Sequence, residues 1–228
     1  MKGIIFTPEM RQAVIAGRKT QTRRLGRLKE INLEPEGWTW TFYEDDQSFA
    51  FSKGNYFTVI KPHYRFCEIV YLKEPWITES IYDSSPIPDI SHDALICYKD
   101  TPPEEPLWSI MGSKWRSALF MPAWVARHFI QITDVRVGRL QEITPQDIEA
   151  EGIKQLYFTT GVPLVSLPQF KHLWNSINKP PYDWDSNPWV WVYSFKYLIE
   201  GLPLSRKERD ALEWQRYVYS NNHANWRE

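Results

Sequence analysis

The sequence predicts an α+β fold, mainly β, with helices set between strands, a long proline-rich insertion and a C-terminal helix. Three observations carry this. A short apolar strand is followed at once by a capped helix. Aromatic and polar residues alternate with period two around a turn at Glu44-Asp45-Asp46. Late in the chain, Trp189 to Leu198 is an apolar run rich in Val, Trp and Tyr, as in a central strand. Hydrophobic residues make up 43% of the chain, which supplies a buried core and excludes global disorder.

The elements follow in order. Ile4 to Phe6 reads as a strand, and Thr7 then caps a helix with Pro8 in its first turn, running to Ala16 and released by Gly17. Met10, Ala13 and Val14 share one helical face, so this helix lies on a core. It hands the chain to a basic loop, Arg18-Lys19-Thr20-Gln21-Thr22-Arg23-Arg24. Trp38 to Tyr43 and Phe49 to Phe51 form a hairpin, and Ile69 to Lys73 a further strand. From Asp83 to Pro106 the composition shifts to Asp, Ser and five prolines, broken by a strand at Ala94 to Tyr98. Phe129 to Val137 alternates as a strand. Thr144-Pro145 starts a short helix that ends at Gly152, with Glu151 in its last turn. Leu167 to Ile177 is helical through Phe170, Leu173, Trp174 and Ile177. Ser205-Arg206-Lys207-Glu208 opens the last helix through a capping box. The expectation is one core over residues 1–200 with an insertion at about 77–125, followed by a helical extension over 201–228.

The chain carries 27 Lys and Arg against 28 Asp and Glu, so no global basic field recruits nucleic acid and any such site is local. The first thirty residues are the electropositive part, through Lys2, Arg11, Arg18, Lys19, Arg23, Arg24, Arg27 and Lys29 against Glu9 and Glu30. Cys67 and Cys97 stand far apart with no C-x-x-C pair, and the five histidines show no metal spacing, so free thiols, no metal and no cofactor are expected. No stretch approaches the roughly 20 apolar residues of a membrane span, and the opening residues lack the apolar core of a signal peptide, so a cytoplasmic chain without membrane contact is expected.

Four cations and two hydroxyls within Gly17 to Arg24 compose a phosphate or nucleotide surface, although the same octet also fits a solvated basic turn. Its glycine, lysine, threonine and arginine, Gly17, Lys19, Thr22 and Arg24, resemble the motif of the ASCH family, in the PUA-like group. Tyr71-Leu72-Lys73-Glu74-Pro75-Trp76, Trp115-Arg116 with Phe120-Met121-Pro122-Ala123-Trp124, and Asn187-Pro188-Trp189-Val190-Trp191 are similar to a longer set found in phage and prophage ASCH proteins. The resemblance spans roughly residues 1–197.

The resemblance implies a PUA-like β-barrel that binds RNA, modified DNA or a modified nucleoside in a cleft beside the first helix. Small ASCH enzymes that remove the acetyl group of N4-acetylcytidine use a Lys, a Thr and a Glu. Their pattern carries over to Lys19, Thr22 and, through Leu140-Gln141-Glu142-Ile143-Thr144, to Glu151. Thr22 would be the nucleophile, Lys19 its base and Glu151 the group that orients or shuttles the proton, with no metal. Arg18, Arg23 and Arg24 would bind substrate, and Arg24 or a backbone N–H would hold the oxyanion. Glu74, Trp76 and Arg116 are candidate substrate contacts. For Glu74 a strand-end salt bridge is the commoner role, and for tryptophans core packing. Two other readings use the same residues differently. A non-catalytic RNA or modified-DNA binding module needs the arginines but not Thr22. A phage interaction or scaffold protein needs no cleft residue at all. The resemblance also leaves room for RNA cleavage, with Lys19 and Glu151 as acid and base.

Overall fold

The computed structural model describes residues 1–100, 108–153, 156–157, 163–164 and 166–200. Strand β1 (Lys2–Ile5) pairs in parallel with β6, introduced below, and that register carries it two residues further toward the N-terminus than the apolar run Ile4 to Phe6 suggests. Helix α1 (Pro8–Ile15) begins where the Thr7 hydroxyl accepts from the Met10 amide at 3.3 Å, and ends at Gly17, whose φ of +70° is the left-handed turn that glycine tolerates.

The basic octet is only partly a loop. Gln21 to Arg24 form strand β2, with Gln21, Thr22 and Arg23 buried. β3 (Thr39–Tyr43), β4 (Ser48–Lys53) and β5 (Tyr56–Ile60) make a three-stranded antiparallel meander, in which Phe49 lies opposite both Phe42 and Ile60. The sequence reading had only the first two of these strands. β6 (Ile69–Lys73) follows. In the insertion, β7 (Trp76–Ile77) and β8 (Cys97–Tyr98) pair among single turns of 3-10 helix, so the strand expected from Ala94 is confined to its last two residues.

β9 (His128–Arg139) leads to α2 (Pro145–Ala150). There Thr144 and Asp147 form a reciprocal capping box, each backbone N–H bonded to the other's side chain at 3.1 Å. The short strands β10 (Leu156–Tyr157) and β11 (Pro163–Leu164) pair before α3 (Leu167–Ile177), and β12 (Trp189–Glu200) closes the described chain. The expected C-terminal helix and residues 101–107 of the proline-rich insertion lie outside the described residues.

The largest sheet has the neighbour order β1-β6-β9-β12-β2, and the described strands form no closed barrel. The fold is thus α+β and mainly strand. Among the described residues no helix is long and apolar enough to cross a membrane.

The chain divides into two compact units. Among the described residues, the first takes those of Met1–Arg11, of Ile69–Ile130 and of 198–200, around a core of Tyr71, Trp76, Ile90, Met121, Val125, Ala126 and Phe129. The second takes Gln12–Glu68 and Gln131–Tyr197. Its β2–β12 pair is covered on both faces. Arg23 and Val192 lie directly opposite one another, as do Arg24 and Trp191, and successive residues of a strand face opposite ways. On one side Val190 and Val192 pack with Ile148, Phe170, Trp174 and Trp184. On the other, Trp191 meets Phe49 edge-on at 4.9 Å between ring centres.

Candidate active site

The second unit brings Lys19 and Glu151 together across 132 positions of sequence. Each is placed by a helix end. At the end of α1 the amides of Arg18 and Lys19 both donate to the Ala13 carbonyl at 2.9 Å, which folds the chain back before β2. At the end of α2 the Glu151 amide donates to Asp147 and Gly152 takes a φ of +83°. The two ends are tied by the Thr20 amide, which donates to the Ala150 carbonyl at 2.8 Å.

Gly152 is needed here for room as well as for backbone freedom. A β-carbon on it would lie 2.9 Å from Lys19 Cβ and 3.3 Å from Ala13 Cβ. Gly152→Ala is therefore expected to destabilise the fold by about 1–2 kcal/mol from the left-handed backbone alone, with the clash added. A urea midpoint equal to that of the parent chain would show that Gly152 is not so confined.

Lys19 Nζ donates to Glu151 Oε2 at 2.7 Å and to the Glu151 carbonyl at 2.8 Å, and both side chains are buried. Arg23 donates to the other carboxylate oxygen at 3.1 Å. Burial pushes the Lys19 ammonium below the usual lysine range. Glu151 opposes that shift, and Arg24 and Arg23 add to it. Arg24, half-buried, is within electrostatic reach of Glu151, Tyr64 and Tyr193.

Asp147 stands beside this group, with Arg23 at 3.0 Å on one oxygen and Arg136 at 2.7 Å on the other. Burial alone would raise its pKa. The Thr144 amide, Arg23, Gln21 and Arg136 together hold it below the usual carboxylate range instead.

Thr22 is buried on β2 opposite Tyr193, and its hydroxyl makes no hydrogen bond among the described residues. Strand alternation turns it, with Arg24, to the face opposite Gln21 and Arg23. Arg18 is exposed.

Glu74, Trp76 and Arg116 belong to the first unit. Both Glu74 oxygens accept from Arg127 at 2.9 Å, and Arg11 lies 4.0 Å away, so this carboxylate ends its strand in a buried salt bridge. Trp76 is fully buried in the core of that unit. Arg116 pairs backbone to backbone with it, and the Arg116 guanidinium lies 5.4 Å from the Trp76 ring and donates to the Tyr82 carbonyl.

The residues missed by sequence reasoning are Asp147, Gln21, Arg127 and Arg136. Asp147 had a signal, the third position of a capping box, which marks a carboxylate at a helix start but not its second partner. The others had none. Among the described residues, no three His, Cys, Asp or Glu side chains are grouped to hold a metal ion. Comparisons with protein-family models, curated proteins and solved structures find no match.

Proposed function

We propose that this chain handles a modified nucleoside or nucleic acid as an amidohydrolase on N4-acylated cytosine or a related N-acylated base, within an ASCH-type, PUA-like barrel fold. The observation that carries the reading is the buried Lys19–Glu151 contact of 2.7 Å. A lysine held below its usual pKa by burial releases its proton nearer neutrality, so its amine can act as a base.

In the proposed reaction, Thr22 Oγ1 attacks the amide carbonyl carbon while Lys19 Nζ takes the hydroxyl proton. The carbon–nitrogen bond then breaks as Lys19 returns that proton to the leaving amine. Water, deprotonated in turn by Lys19, hydrolyses the threonyl ester, releasing the carboxylic acid and restoring the hydroxyl. Glu151 holds the ammonium between these transfers, and Arg24 supplies positive charge for the oxyanion.

A second reading, a binder of modified RNA or DNA that does no chemistry, is favoured by one observation: alternation turns Thr22 away from the face of Arg23. Incubation with N4-acetylcytidine, followed by chromatography, separates the two. Turnover to cytidine and acetate is expected, falling by about 10²–10⁴-fold in Lys19→Ala and in Thr22→Ala, with partial recovery in Thr22→Ser. A parent chain that gives no cytidine above background removes the hydrolase reading. Salt-dependent binding of modified RNA or DNA would then support the binding module.

A further inference from the structure

The Lys19–Glu151 pair is the inner end of a longer chain of charges. Arg23 gives one terminal nitrogen to Glu151 Oε1 at 3.1 Å and to Gln21 Oε1 at 2.7 Å, and the other to Asp147 Oδ2 at 3.0 Å. Its guanidinium also sits 5.9 Å from the Phe170 ring centre. Asp147 is locked in turn by the capping box of α2 and by Arg136. One planar group thus ties the start of α2 to Glu151 at its end.

We propose that Arg23, anchored by Asp147, is a positioning residue that fixes the Glu151 carboxylate with its second oxygen turned to Lys19. The inference rests on the proposed hydrolase reading and assigns Arg23 a role other than substrate contact. A carboxylate held by a single flexible ammonium can rotate, and a proton-transfer partner displaced by a fraction of an ångström loses efficiency. The rigid fork of an arginine spans two carboxylates at once, which the point charge of a lysine cannot do. The Arg23 Nε is buried without a partner among the described residues, so Arg23 is held through its two terminal nitrogens.

Charge gives the inference a signature that packing lacks. Lys19 is faced by Glu151, Arg23 and Arg24. Arg23 is faced by Glu151 and Asp147, and Asp147 by Arg23 and Arg136. Arg23 repels the Lys19 ammonium and shares the charge of Glu151. Removing it therefore strengthens the hold of Glu151 on that proton, and Lys19 should stay protonated to higher pH.

The experiment uses the full chain with nitrogen-labelled lysine. It follows the Lys19 Nζ resonance, assigned by its absence in Lys19→Met, through a pH titration, alongside the pH profile of kcat/KM on N4-acetylcytidine. An amide fingerprint spectrum checks the fold of each variant. Arg23→Gln is expected to move both the Lys19 titration and the acid limb of the profile upward. Arg23→Lys keeps the charge, so the acid limb should stay near that of the parent while kcat falls about tenfold or more. Asp147→Asn should behave like Arg23→Lys, and it decides the matter if Arg23→Gln does not fold. An unmoved Lys19 titration in folded Arg23→Gln, or an undiminished kcat in Arg23→Lys or Asp147→Asn, overturns the inference. Absence of hydrolysis by the parent chain defeats the proposed reaction only, and the Lys19 titration in Arg23→Gln still decides whether Arg23 governs the pair.

Discussion

Glu151→Gln should lower the free energy of unfolding by about 3–5 kcal/mol, the usual cost of removing one partner from a buried ion pair. Glu151 is 5% exposed and is the carboxylate that Lys19 and Arg23 share. An amide in its place leaves two buried cations facing each other. Arg23 keeps Asp147 and Gln21, so Lys19 bears most of the penalty. Lys19→Met is the informative contrast, because it removes a charge yet leaves Glu151 paired with Arg23, and its cost should be no more than about 1 kcal/mol.

The pH dependence of the Glu151→Gln loss follows from the same charges. In that variant the groups that raise the Lys19 pKa are gone and burial still lowers it, so the folded chain binds fewer protons than the unfolded one between the lowered pKa and the unfolded value of 10.5. Stability rises with pH wherever the unfolded state holds more protons. The loss should therefore be largest near neutrality and shrink as pH climbs toward 10. Urea unfolding at several pH values reads both quantities. A cost below about 1 kcal/mol with no pH dependence would mean that the pair does not exclude water as its burial implies.

What the sequence revealed, and what it did not, divides along the range of the forces involved. Helices α1 and α2 were legible because capping is local, and α3, which has no side-chain cap, through the helical spacing of Phe170, Leu173, Trp174 and Ile177. Thr7 with Pro8, and Thr144 with Pro145, announce starts that the hydroxyl hydrogen bonds of the structure repeat. Helix α3 matches the sequence reading from Leu167 to Ile177. Strand β2 was hidden because Gln-Thr-Arg-Arg has the composition of a solvated loop. Its conformation comes from pairing with β12, about 170 residues away, and from carboxylates on α2 that satisfy its buried arginine. β5 was missed despite its own signal, Gly54-Asn55 ahead of Tyr56 to Ile60, which extends the hairpin by one strand.

In the candidate site, Lys19 and Glu151 were suggested by the resemblance alone. No periodicity links positions 132 apart, and the structure brings them into contact. Arg23 was read as a substrate cation because a sequence displays charge but not the countercharge that the fold delivers. Asp147 and Glu151 occupy that guanidinium.

Trp191→Ala is expected to cost about 3–5 kcal/mol, the range for truncating a large buried aromatic residue. Its side chain is 0% exposed, and its ring meets Phe49 at 4.9 Å and Phe51 at 6.5 Å between centres. On its far edge, a β-carbon on Gly26 would lie 2.9 Å from the Trp191 Cδ1, so backbone closes over the indole as well. Packing this tight relaxes little around a void, which places the cost toward the upper end. The indole N–H, however, has no hydrogen-bond partner among the described residues. Trp191→Phe removes that unsatisfied donor along with part of the ring, and the two changes oppose one another, so this variant should keep most of the stability that alanine loses. Trp40, on the same face of the meander but 42% exposed, calibrates the scale: its alanine variant should lose less than half as much as Trp191→Ala. If Trp191→Phe proved as damaging as Trp191→Ala in urea unfolding, the indole N–H would be engaged after all. Trp191 would then hold the Arg24 side of β2 through a polar contact rather than through aromatic packing.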